Sequence, residues 1–154
     1  MMKFASYDIV FQEVPGEVTL AVNITGCPNR CPGCHSPHLW ADDGIELDKQ
    51  ALTGLLADYG RGVTCVALMG GDATPGEVYE LAQWIKQQGY KSAWYSGRDK
   101  LPGDCPTGRF DYIKVGPYIE HLGGLKSPTT NQRMYHVAAD GTLEDITYKL
   151  QTHR

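Results

Sequence analysis

Several things are missing from this sequence, and each absence excludes a class of protein. No apolar run approaches the roughly 20 residues of a membrane-spanning helix. Met1-Met2-Lys3-Phe4 does not lead into the apolar stretch and small-residue cleavage site of a secretory leader. A cytoplasmic protein with no membrane partner is expected. Basic residues are outnumbered, 14 Lys and Arg against 18 Asp and Glu, and they are scattered rather than gathered into a stripe. Nucleic acid is therefore not an expected partner. A disulfide framework is also absent: the five cysteines are an odd number, three of them fall within eight residues, and a 42% hydrophobic chain can build a core without covalent staples. At 154 residues, without internal repeats or low-complexity tracts, the chain is expected to form one domain over residues 1–154.

The periodicities that are present alternate between strand and helix. Leu52, Leu55, Leu56 and Tyr59 recur at helical spacing behind Asp48, a good N-cap, and Gly60 ends that helix. A second helix is expected from Thr74, with Thr74 and Glu77 as a capping box and Pro75 in the first turn. Its buried stripe is Val78, Leu81, Ala82 and Ile85, and Gly89 closes it. Strand-like runs span 18–24, 63–69, 91–95 and 112–115, with weaker ones at 134–137 and 145–148. A further run at 7–12 pairs with 18–24 across Pro15-Gly16. Strands separated by helices predict βαβ units and a mainly parallel α/β sheet.

Parallel sheets carry their ligands at the carboxyl ends of the strands. There stand Gly26-Cys27-Pro28-Asn29-Arg30-Cys31-Pro32-Gly33-Cys34, then Gly70-Gly71-Asp72, then Ser96-Gly97-Arg98, then Gly116-Pro117. Cys27, Cys31 and Cys34 form a C-x3-C-x2-C loop, whose crowded thiolates suit a metal centre or cluster. A structural zinc site takes four ligands, usually from two knuckles, and no second C-x2-C exists; His35 or His38 as a fourth ligand keeps a Cys3His zinc site open as an alternative. Three cysteines on a four-iron cluster leave one iron without a protein ligand, open to a substrate.

The C-x3-C-x2-C loop after an early strand, followed by Gly70-Gly71-Asp72 after the next, resembles the radical S-adenosylmethionine enzymes and their Gly-Gly-Glu motif. The Cys-Pro-Gly-Cys ending, Met69 to Asp72, Trp94-Tyr95-Ser96-Gly97 and Thr130-Asn131-Gln132-Arg133 are similar to the activating enzymes of anaerobic ribonucleotide reductase. The sequence departs from the closest pattern at Ala73, where related enzymes commonly carry proline.

The resemblance implies a single-domain, incomplete radical S-adenosylmethionine βα barrel with an open, curved, mainly parallel sheet. It implies that Cys27, Cys31 and Cys34 hold a [4Fe–4S] cluster whose open iron chelates S-adenosylmethionine. Reductive cleavage then yields a 5′-deoxyadenosyl radical that takes hydrogen from a glycine of the reductase, with flavodoxin or ferredoxin as the low-potential donor. Cofactor contacts are implied for Gly70, Gly71, Asp72, Ser96, Gly97 and Lys114: close backbone approach by the glycines, an acceptor for the methionine ammonium at Asp72, and a ribose or methionine contact at Ser96 and Gly97. Asn131, Gln132 and Arg133 are placed by the same resemblance near the site or the partner surface. Arg30 is a candidate for tuning the cluster or meeting the partner.

Two rivals remain at this level: a radical enzyme acting on another glycyl-radical enzyme or a small molecule, and a zinc-bound adaptor. Cys65, within an apolar strand, is expected to be a buried hydrophobe, and Cys105 an exposed thiol. Trp40, Trp84 and Trp94 are expected to be packing or rim residues.

Overall fold

The computed structural model describes residues 3–11, 14, 16–25, 45–117, 119, 121–125 and 127–150. The elements run β1 (Lys3–Val10), β2 (Thr19–Ile24), β3 (Ile45–Glu46), α1 (Lys49–Tyr59), β4 (Cys65–Met69), α2 (Pro75–Gln87), β5 (Lys91–Tyr95), β6 (Tyr112–Val115), β7 (Arg133–Val137) and β8 (Leu143–Asp145). They form one eight-stranded sheet in the order β3-β1-β2-β4-β5-β6-β7-β8.

The sheet is α/β but less parallel than the sequence suggests. β2, β4, β5 and β6 are parallel neighbours. The flanking pairs β1–β2, β1–β3, β6–β7 and β7–β8 are antiparallel. The reason lies in the connections. A parallel return needs a long crossover, usually a helix, and among the described residues between β6 and β7 no helix forms, so β7 returns antiparallel. β3 and β8 are the two edges, and the sheet is not closed.

The parallel strands advance in one direction, so right-handed crossovers lay both helices on one face. Alternation along the strands sorts the side chains accordingly. Leu20, Val22, Val66, Leu68, Trp94 and Ile113 point into the helix-covered core with Leu52, Val78, Leu81 and Ile85. Cys65, Ala67, Ala93, Tyr95 and Tyr112 face the other way, against Val14, Met134 and Ile146. The small residues Cys65, Ala67 and Ala93 suit a face that neither α1 nor α2 covers.

Both helices form where expected. Asp48 Oδ1 accepts from Ala51 N–H at 2.8 Å. Leu52 and Leu55 are buried, Leu56 is half-buried, but Tyr59 is exposed, where its hydroxyl accepts from Tyr7 at 3.0 Å. The Thr74–Glu77 capping box does not form: Thr74 makes no side-chain cap bond. Its backbone N–H instead donates to the Gly71 carbonyl, and that turn sets its ψ at 63°, away from the extended conformation an N-cap adopts. The far end of α2 closes as a Schellman motif, with Gly89 N–H on the Lys86 carbonyl and Tyr90 N–H on that of Ile85. The last predicted strand is shifted: the pairing is made by Leu143–Asp145, while Thr147–Leu150 is a 3-10 turn. Asp145 Oδ1 accepts from the N–H and hydroxyl of Thr147, which ends the strand.

Candidate iron–sulfur site and the polar pole beside it

β2 delivers the chain to Thr25 at the carboxyl edge of the parallel strands. Cys27, Cys31 and Cys34 follow at once, with Arg30, His35, His38 and Trp40, and all of them lie outside the described residues. Among the described residues, no group of three or more His, Cys, Asp or Glu could hold a metal ion.

The other strand ends at this edge are bonded into one polar cluster. Gly70 and Gly71 follow β4 with φ of 114° and 87°, left-handed values that glycine adopts and side-chain-bearing residues avoid. Gly70 N–H donates to the Tyr95 carbonyl, and its own carbonyl accepts from the Trp94 indole N–H at 2.7 Å. Trp94 is buried and stacks on Phe110 with ring centroids 5.8 Å apart, so the Gly-Gly turn rests on a rigid aromatic support.

Asp72 is buried. Its Oδ1 accepts from Ser96 Oγ at 2.6 Å and its Oδ2 from Gly97 N–H at 2.9 Å. Ser96 Oγ also accepts from Arg98 N–H. Lys114 is buried near the end of β6; its Nζ donates to the Ser96 and Gly116 carbonyls, both at 3.1 Å. The Gly116 carbonyl accepts as well from Gln132 Nε2 at 3.2 Å. A Cβ on Gly116 would lie 3.0 Å from Gln132 Cα, so only glycine permits that approach.

Of Asn131, Gln132 and Arg133, Gln132 joins this cluster and Asn131 Nδ2 donates to the Pro117 carbonyl. Asn131 Oδ1 is buried with no hydrogen-bond partner among the described residues. Arg133 turns away to Asp145, 3.8 Å distant. The loops after β4, β5 and β6 thus form a continuous run of bonds, Asp72 to Ser96, Ser96 to Lys114, Lys114 to Gly116, Gly116 to Gln132. Trp94, expected as a packing or rim residue, supports this run from below; its position one residue before a strand-end tyrosine gave no sign of an indole bond to the β4 turn.

The remaining cysteines stand apart from this edge. Cys65 is fully buried at the start of β4, and burial pushes its thiol up to about 12. Cys105 is half-buried against the core rather than exposed, and burial raises its thiol as well. A groove of about 370 Å³ lined by Gln83, Lys86, Gln87, Gly108 and Arg109 lies by the C-terminal end of α2, away from the pole.

At the opposite, amino end of the parallel strands sits a second polar cluster that the sequence did not announce. Buried Glu17 accepts from Thr64 Oγ1 at 2.8 Å, Lys91 Nζ at 2.8 Å and Tyr112 OH at 2.9 Å. The only hint is an acidic and a basic residue at the starts of two strands.

Residues 14–99 match the family described as the 4Fe-4S single cluster domain. That match spans more than half of the 154 residues and includes the cysteine loop, the Gly-Gly-Asp turn and the β5 loop, so the chain belongs to this family of iron–sulfur proteins. No curated protein and no solved structure matched the chain. The residue types present fit the group: three closely spaced cysteines suit a four-iron cluster. No helix among the described residues is long and apolar enough to cross a membrane.

Proposed function

We infer that the protein is a radical S-adenosylmethionine enzyme that activates an anaerobic ribonucleotide reductase by generating a glycyl radical on it. The observation that carries this reading is the junction of the β4, β5 and β6 loops into one bonded pole at the edge where the three-cysteine loop of an iron–sulfur family begins. Cys27, Cys31 and Cys34 hold the [4Fe–4S] cluster, leaving one iron for the amino and carboxylate groups of S-adenosylmethionine. When bound, the reduced cluster supplies the electron that cleaves S-adenosylmethionine to methionine and a 5′-deoxyadenosyl radical.

The protein's own part is placement. Gly70 and Gly71 bring backbone close to the methionine moiety, and Ser96 and Gly97 form the adjoining wall. Asp72 and Lys114 belong to the same wall. On this reading the sheet is the incomplete barrel of that superfamily, and its open side lets a glycine-bearing loop of a folded partner enter. The electron comes from flavodoxin or ferredoxin.

The test is anaerobic. The protein is reconstituted with iron and sulfide, reduced with dithionite and mixed with S-adenosylmethionine, while 5′-deoxyadenosine and the cluster's EPR signal are followed. A signal perturbed by S-adenosylmethionine together with deoxyadenosine is expected, and adding the reductase should produce a glycyl-radical signal on it. A colourless zinc protein that makes no product would sink the reading.

A further inference from the structure

The residue most readily taken as a ligand contact, Asp72, has both carboxylate oxygens engaged by the neighbouring loop. It is 5% exposed and its principal partner Ser96 is fully buried. Oδ1 takes the Ser96 hydroxyl at 2.6 Å and Oδ2 the Gly97 N–H at 2.9 Å. Its main-chain carbonyl accepts from Arg98 Nη2 at 3.4 Å. All four residues lie in the seam between the loop after β4 and the loop after β5. The geometry points to Asp72 as a positioning residue, a brace that acts through Ser96 and Gly97 to set the spacing between the Gly70-Gly71 backbone and the Gly97 backbone, and not as the acceptor for the substrate's ammonium.

The physical case is one of alternatives. A carboxylate hydrogen-bonded on both oxygens inside the protein holds its geometry tightly, because charge-assisted bonds are short and strong. The two loops it joins leave neighbouring parallel strands, β4 and β5, paired Met69 to Tyr95 at the last step. Beyond that step the ladder ends with Gly70 N–H on the Tyr95 carbonyl. From there the Asp72 side chain takes over the role of the ladder. Without it, two left-handed glycines would face the β5 loop with no tie from the side chain that now joins them.

This role rests on the function proposed above, and the experiment separates the two. On reconstituted, reduced protein, S-adenosylmethionine is titrated against the cluster's EPR signal for the wild type, Asp72→Asn, Asp72→Ala, Ser96→Ala and the Asp72→Ala/Ser96→Ala double variant. A brace predicts that Asp72→Ala and Ser96→Ala each weaken binding by about tenfold and that the double variant is no worse than the weaker single one, since the two residues share one interaction. Asp72→Asn should rescue, with a loss of only about threefold, because its amide oxygen still accepts from Gly97 N–H and its NH2 donates to Ser96 Oγ. An Asp72→Asn variant as impaired as Asp72→Ala, beside a near-normal Ser96→Ala, would overturn the brace in favour of a direct charge contact. Should the wild type itself not bind S-adenosylmethionine, the proposed function fails alone. Amide exchange at Gly97 then still decides the brace: protection lost in Asp72→Ala and kept in Asp72→Asn supports it, and protection unchanged in Asp72→Ala refutes it.

Discussion

Glu17 shows how one buried side chain ties the amino ends of separate strands together. It precedes β2, and its carboxylate gathers Thr64 ahead of β4, Lys91 at the start of β5 and Tyr112 at the start of β6. Burial pushes its pKa up, but the bonds from Lys91, Thr64 and Tyr112 outweigh burial and leave it below the usual 4.5. A carboxylate with a folded pKa below its unfolded one stabilises the fold above the unfolded value, and that contribution is lost as pH falls through the folded value. Lys91 is shifted upward by its bond to Glu17, so its share persists below the ordinary lysine range and fades only at higher pH. That share is small, because half of the Lys91 side chain is exposed. Glu17→Gln should therefore lower stability by about 1–3 kcal/mol at pH 7. It should also flatten the loss of stability as pH falls below the usual 4.5, read from urea unfolding at each pH; a variant with the wild-type acid profile would rule this origin out.

At the scale of elements, the two helices look alike in sequence and differ in how they start. Asp48 stands in extended backbone and bonds the Ala51 N–H. Thr74 is held by the Gly71 turn, and its hydroxyl caps nothing. Asp48→Ala should cost about 1 kcal/mol, a fall of about 2–4 °C in Tm, whereas Thr74→Ala should stay within about 0.5 kcal/mol. Equal losses in thermal melts would contradict the assignment. Helix existence was legible because apolar spacing reports the buried face directly, as Val78, Leu81, Ala82 and Ile85 show. The cap was not, because the same Thr-x-x-Glu pattern needs a backbone conformation that the Gly-Gly turn before it denies. The last strand was misplaced for a similar reason: Ile146 and Thr147 are buried as a strand's residues would be, yet Asp145 turns the chain locally.

At the scale of the whole molecule, the cysteines divide by position. Cys65 and Cys105 pack with the core, while Cys27, Cys31 and Cys34 follow the carboxyl end of β2. Replacing any one of the three by alanine should abolish the iron–sulfur absorbance and bound iron after reconstitution. Cys105→Ser should retain both, and iron analysis of the four variants checks the division. The sequence by itself determined the α/β alternation, the helical stripes, the cysteine triad and the strand ends at which chemistry is expected, because periodicity and ligand spacing are local properties of the chain. Only the tertiary structure decided that the flanking strands pair antiparallel, that Lys114 is buried on two carbonyls, that Asp72 bonds the β5 loop and that Glu17 joins three strands. The bonds that carry the last three join residues far apart in the chain, 18 positions for Lys114 to Ser96, 25 for Gly97 to Asp72 and 95 for Tyr112 to Glu17, where the fold, and not local preference, sets which groups lose water and must find partners.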